Sequence, residues 1–211
     1  MIRGDKVMYK AFGKRLIDVV LSGIGILVLL IPMLIIALII KIDSPGKVFF
    51  TQERVGIHKK PFKILKFRSM RTDTPHDMPT HMLSNPDAYI TKFGKWMRKM
   101  SVDELPQILC IFIGTMTIIG PRPALFNQED LLRERDKYGA NDVKPGLTGL
   151  AQIRGRDELP IDVKAALDGE YVQKMSFLFD AKLFFSTILS VLRSDGVVEG
   201  ARAPEKEEVA K

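Results

Sequence analysis

Val19 to Ile40 reads VVLSGIGILVLLIPMLIIALII, with no ionisable side chain between Asp18 and Lys41. Wound as a helix, the run is ~33 Å long, about the thickness of a bilayer's hydrocarbon core. Two features argue against a plain crossing. Pro32 lies past the middle, where it removes a backbone donor and crowds the preceding turn, so a kink or break is expected there. Both flanks are basic, with Lys6, Lys10, Lys14 and Arg15 before the run and Lys41 and Lys47 after it. If positive flanks stay on the cytoplasmic side, a single crossing strands one of them. A re-entrant helix that breaks at Pro32 and returns satisfies both and is favoured over a single pass. A cleaved signal peptide fits poorly, because the apolar core is too long and the small Ser22, Gly23 and Gly25 lie inside it.

The other residues bound the problem further. Of 211 residues, about 155 remain outside the membrane run and the charged tail, enough for one domain with a core. The division expected is an amphipathic lead and membrane helix over 1–42, one compact α/β domain over 43–198, and a disordered charged tail over 199–211. Lys plus Arg total 32 against 25 Asp plus Glu, a net charge of +7 that suits anionic headgroups or phosphorylated substrates, with nucleic acid as the competing partner. The lone Cys110 excludes an internal disulfide, fits a reducing compartment, and reads as a small buried apolar residue.

In chain order, Tyr9, Phe12, Leu16 and Ile17 among basic residues form an amphipathic lead suited to the headgroup layer. After the turn Asp43-Ser44-Pro45-Gly46, Lys47 to Gln52 and Phe62 to Met70 read as short strands. The second, FKILKFRSM, interleaves Lys63, Lys66 and Arg68 with apolar positions; its cations line either a phosphate-facing surface or an ordinary solvated strand face. The proline-bearing loop 71–87 holds His76, Asp77 and His81, whose spacing matches no common zinc pattern. Ala88 to Met100 turns helical and basic around Phe93, Trp96 and Met97, a surface-lying or core-docked helix. Residues 127–138 read as a charged, solvated helix, Ile161 to Met175 as a helix with surface acids, and Phe177 to Leu192 as an apolar helix for the core or the membrane interface.

The strongest chemical signal is Ser101-Val102-Asp103-Glu104-Leu105-Pro106-Gln107. Ser101 and Glu104 have the spacing of a capping box, and acids favour a helix start, so adjacent carboxylates have a structural explanation here. Pro106 weakens it, since a helix capped by Ser101 would place that ring against a carbonyl of the first turn. Successive helical side chains diverge by about 100°, so the pair can share a site in different roles: one attacking phosphorus, one holding a divalent cation. Further on, Pro121 and Pro123 fix the backbone around Arg122 and suit it to bidentate phosphate contact, unless the turn is merely rigid. Arg154-Gly155-Arg156 adds two cations beside a glycine, a loose phosphate-binding signal.

KFRSM, SVDELPQI, GPRP, KPGLTGLAQ and GR, in this order after an apolar amino-terminal segment, resemble the bacterial sugar transferase family, the small monotopic phosphoglycosyl transferases, over roughly residues 10–198. The resemblance implies an enzyme of the bacterial inner membrane, its catalytic domain on the cytoplasmic face, that moves a sugar 1-phosphate from a UDP-sugar to polyprenyl (undecaprenyl) phosphate and releases UMP. By the same resemblance Asp103 is the nucleophile and Glu104 its neighbour at Mg2+; Arg122 binds phosphate, and Lys66, Arg98 and Asp168 are charged site residues. Arg156 falls in the loop that meets the nucleotide. It also implies a re-entrant helix, downstream glycosyltransferases as partners, no nucleic acid, and an N-acetylated amino or deoxy sugar ahead of galactose or glucose, and leaves a homodimer open. The chain departs from the family pattern at Ile31, where serine often precedes the helix-breaking proline, and at Cys110, Thr115, Leu150 and Arg154. The competing reading is a membrane-anchored scaffold for anionic lipid or nucleic acid, which would have no use for the acidic pair.

Overall fold

A computed structural model describes residues 8–74, 86–155 and 159–193. A π-helical turn, Tyr9–Gly13, leads into α1, Lys14–Asp43. The helix runs on through Pro32 without interruption, so the break expected there does not divide it. One stripe faces the rest of the molecule: Asp18, Ser22, Ile36 and Ile40 are buried, while Leu27, Val28, Ile31 and Leu34 on the outer side are exposed. Asp18 and Ser22, like Ile36 and Ile40, are four residues apart, and the 14 between the two pairs is close to four whole turns, so all lie on one helix face.

Two short sheets follow. Strands β1 (Phe49–Val55) and β2 (Pro61–Phe67) pair antiparallel from Phe49 opposite Phe67 to Val55 opposite Pro61. After them come α2 (Pro86–Tyr89), α3 (Lys92–Lys99), a 3-10 turn at Val102–Glu104 and α4 (Gln107–Ile113). Strand β3 (Thr117–Ile119) pairs in parallel with β4 (Gly146–Thr148), and α5 (Glu129–Asp136) lies in the crossover between them. Gly146 is required at this pairing: a Cβ there would lie 2.1 Å from the Gly120 nitrogen. Helices α6 (Leu150–Arg154), α7 (Ile161–Lys174) and α8 (Phe177–Arg193) complete the mixed helix and sheet fold.

Both ends of α1 dock on this one body. Near the amino end, Asp18 accepts from Thr117 Oγ1 at 2.7 Å and from the Ile118 backbone at 3.0 Å. Near the carboxyl end, Ile36 and Ile40 pack with Phe67 and Met97. The basic residues of the lead also turn inward. Arg15 donates to the Ile111 and Phe112 carbonyls, both at 2.7 Å, capping α4; Lys10 reaches the Val172 carbonyl of α7; Lys14 pairs with Asp180 at 2.6 Å. Last-turn carbonyls lack partners within their own helix, and Arg15 and Lys10 supply them. Tyr9 also donates to Asp180, at 2.6 Å.

Several expectations change. Ser101 has φ 55° and makes no capping bond, so the capping-box explanation of the acidic pair fails. Helix α5 is not wholly solvated: Leu131 and Arg135 are buried. Asp168 is buried too, rather than a surface acid. Cys110 is buried as expected, among Ile64, Ile111 and Met116. His76, Asp77, His81, Arg156 and the tail lie outside the described residues.

Candidate active site

The acidic pair sits on the turn between α3 and α4. Pro106 precedes α4 as its cap residue, where a missing N–H costs nothing, and this frees Val102–Glu104 to form a separate tight turn. Val102 and Leu105 pack into the cluster built by Ile36, Ile40, Phe67 and Met97, so α1 supports the turn from beneath. Asp103 is buried and, among the described residues, accepts no hydrogen bond; Glu104 is part-buried and tightly held.

Lys66, on the face of β2 that carries Ile64, donates to Glu104 Oε1 at 2.7 Å. The Arg122 guanidinium meets the same carboxylate with two donors, Nη2 to Oε1 at 2.7 Å and Nη1 to Oε2 at 3.3 Å. Paired charge-assisted bonds of this kind fix direction as well as distance. Arg98, half-buried on α3, adds its field to the Asp103 carboxyl together with Lys66 and Arg122. Lys66, Arg98, Asp103, Glu104 and Arg122 are therefore one constellation, as the sequence suggested.

Burial pushes the Asp103 carboxyl above its ordinary value; Lys66 opposes this, the Glu104 carboxylate adds to it, and Arg98 and Arg122 oppose it. For Glu104, burial pulls upward, but the charges and hydrogen bonds of Arg122 and Lys66 outweigh it and hold the group well below the usual carboxylate range. The pair is thus split into a carboxylate fixed as an anion and a neighbour left for chemistry. Such separation of two adjacent acids by their surroundings marks sites where they act differently.

Asp168 does not join this constellation. It is 1% exposed and pairs with Arg135, at 2.8 Å to Nε and 2.6 Å to Nη2; burial pushes its carboxyl upward and Arg135 opposes that. It stands apart from the acidic pair, held by α5 rather than by the acidic turn. Sequence reasoning missed Arg135, whose only signal was the shared helix face with Leu131. Arg68 follows neither reading of the strand's cations, phosphate-facing or solvated: it is buried and donates to the Ser44 and Pro45 carbonyls at 2.7 and 2.6 Å, closing the turn after α1. Lys63 is exposed. The three cations of FKILKFRSM thus have three separate fates.

A divalent cation fits here on its chemistry. Mg2+ is commonly held by one or two carboxylates, substrate phosphates and waters rather than by a full protein cage. Asp103 and Glu104 supply two carboxylates, and no cluster of three or more His, Cys, Asp or Glu exists among the described residues. Glu104 would have to exchange part of its hold on Lys66 and Arg122 for the metal.

The family model described as "Bacterial sugar transferase" matches residues 9–194. The "Uncharacterized sugar transferase EpsL" of Bacillus subtilis (strain 168) is 41% identical over 158 residues, 75% of this chain and 75% of that protein. The "UDP-glucose:undecaprenyl-phosphate glucose-1-phosphate transferase" of Escherichia coli (strain K12) is 40% identical over 183 residues, 83% of this chain but 39% of that longer protein. The "Exopolysaccharide production protein PSS" of Rhizobium leguminosarum bv. phaseoli is 38% identical over 191 residues, 85% of this chain and 94% of that protein. The acidic turn, its cations and the apolar helix beneath them fall within a match that runs nearly the length of the chain, which belongs to the bacterial sugar transferase family.

Proposed function

We propose that this protein is a membrane-bound phosphoglycosyl transferase that moves a hexose 1-phosphate from a UDP-sugar to polyprenyl phosphate and releases UMP. The observation that carries the reading is the split acidic pair: a buried Asp103 beside a Glu104 gripped by Lys66 and Arg122. An Asp103 oxygen attacks the phosphorus that bears the sugar, and the bond from that phosphorus to the UMP oxygen breaks with its electron pair leaving on UMP. The covalent aspartyl phosphosugar is then attacked at phosphorus by an oxygen of polyprenyl phosphate, which releases the Asp103 carboxylate. Lys66, Arg98 and Arg122 supply positive charge where the phosphoryl oxygens gather negative charge. When bound, Mg2+ would add Lewis-acid stabilisation of that charge.

The proposed setting is the inner membrane with the domain on its cytoplasmic face. A 35-residue helical stretch, Tyr9–Asp43, is long and apolar enough to cross a membrane. That both its ends dock on one domain supports a re-entrant rather than a crossing arrangement. Cysteines placed at Arg3 and Pro45 should then be labelled from the same side, and labelling from opposite sides would sink this topology.

The activity is tested by UMP release from purified protein with undecaprenyl phosphate, Mg2+ and a donor panel. Three relatives are named for UDP-glucose, so that donor heads the panel, with N-acetylated amino and deoxy sugars beside it. Release abolished in Asp103→Asn is the expected result. Release that survives in the variant places the nucleophile elsewhere. No release with any donor from folded protein counts against the reaction.

A further inference from the structure

The segment Pro121-Arg122-Pro123-Ala124 is held in an unusual way. Proline has no N–H, so a strand-like tether through alternating donors and acceptors is closed to this segment. It is tied instead by its carbonyls, four in succession. The Gly146 backbone donates to Pro121 O at 2.8 Å and the Val55 backbone to Ala124 O at 2.9 Å. Between them, Arg135 Nη2 donates to Arg122 O at 3.0 Å and Arg54 Nη1 to Pro123 O at 3.2 Å. The bond to Arg122's own peptide comes from a side chain that is itself 5% exposed and paired with Asp168.

We propose that Arg135, held by Asp168, is a positioning residue that aims the Arg122 guanidinium at the donor's phosphates. This rests on the reading of Arg122 as a phosphate ligand. A guanidinium at that depth is tolerated only with a partner, and Asp168 of α7 is that partner. If the pair merely fastened α5 to α7, two apolar side chains of similar volume would serve as well, since such replacements of buried ion pairs are often neutral or stabilising. What an apolar pair cannot supply is the donor to the Arg122 carbonyl. The chain of contact runs from Asp168 through Arg135 and the Arg122 backbone to the Arg122 side chain on Glu104, linking α7 to the acidic turn without Asp168 touching substrate.

The test is the double variant Arg135→Met with Asp168→Leu, in detergent, alongside wild type and Asp103→Asn. Melting temperature, UDP affinity by calorimetry with Mg2+, and kcat/KM for UMP release are read together. The expected result is a melting temperature close to wild type with weakened UDP binding and a loss of about a hundredfold in kcat/KM, the scale expected of a catalytic group moved by an ångström. A double variant that binds UDP and turns over like wild type overturns the proposal. Should the double variant fail to fold, Arg135→Lys decides: it keeps the charge opposite Asp168 but lacks the planar fork that reaches two acceptors. That variant should fold and bind UDP more weakly; wild-type affinity in it overturns the proposal. Failure of the reaction itself would look different, because wild type would then release no UMP from any donor.

Discussion

Asp18 offers the sharpest test of how the apolar helix is joined to the domain. Its carboxylate is buried and takes two donors from β3, the Thr117 hydroxyl and the Ile118 backbone. Asp18→Ala removes both acceptors and leaves two donors in a dry place. Each such loss costs about 1.5–3 kcal/mol when the acceptor was charged, so the pair is worth about 3–6 kcal/mol. For a chain of this size that lowers the melting temperature by about 10 °C. Asp18→Asn should be far milder, at about 1 kcal/mol: its carbonyl still accepts from Ile118, and the Thr117 hydroxyl can turn to accept from the amide. Thermal unfolding of detergent-solubilised protein, followed by tryptophan fluorescence or far-UV dichroism, measures both. The reasoning fails if the alanine variant melts within about 2 °C of wild type, or if asparagine is as damaging as alanine.

Two further outcomes follow from the geometry. A Cβ at Gly94 would lie 2.0 Å from the Ser69 carbonyl oxygen, a backbone atom that cannot turn aside, so Gly94→Ala should displace α3 and with it Arg98. The expected cost is about 1–3 kcal/mol together with reduced UMP release, measured by melting and turnover. The Asp136 carboxyl is held below its ordinary value by hydrogen bonds from Lys59 and Asn141. A depressed acid contributes stability that is present above about pH 4, its unfolded value, and is lost as pH falls through the folded one. Melting curves of Asp136→Asn and wild type should therefore differ near neutrality and converge in acid, and a gap that widens on acidification would contradict the assignment.

What could be read from the chain alone was what local pattern decides. The apolar run, the hairpin, α7 and α8 carry their own periodicity, and the acidic pair announced itself because Pro106 spoiled its structural explanation. Lys66 and Arg122 were legible because their motifs surround them, and Arg98 because it closely precedes the acidic motif. The pairing of Arg135 with Asp168 was not, because each depends on a partner 33 residues away, and a charged residue on a helix is by default solvated. Arg68 misled for the opposite reason: a cation in a strand of cations looked like its neighbours, yet it faces the turn that ends α1. Asp18 drew no notice, since one acid at the edge of an apolar run has no local signature of burial.

The long reach of that carboxylate has a bearing on how the protein is made. Asp18 is synthesised 99 residues before Thr117 and Lys14 is synthesised 166 before Asp180. At about 5–20 residues per second, the apolar segment waits some seconds for the first of these partners and longer for the second. During that interval its polar groups lack the partners seen in the finished fold, and its final seat forms only once β3 and α8 exist. The helix is therefore completed by the domain it anchors, and a version of the domain cut free of residues 8–43 would expose the Thr117 hydroxyl, the α4 carbonyls and the apolar floor of the acidic turn to solvent.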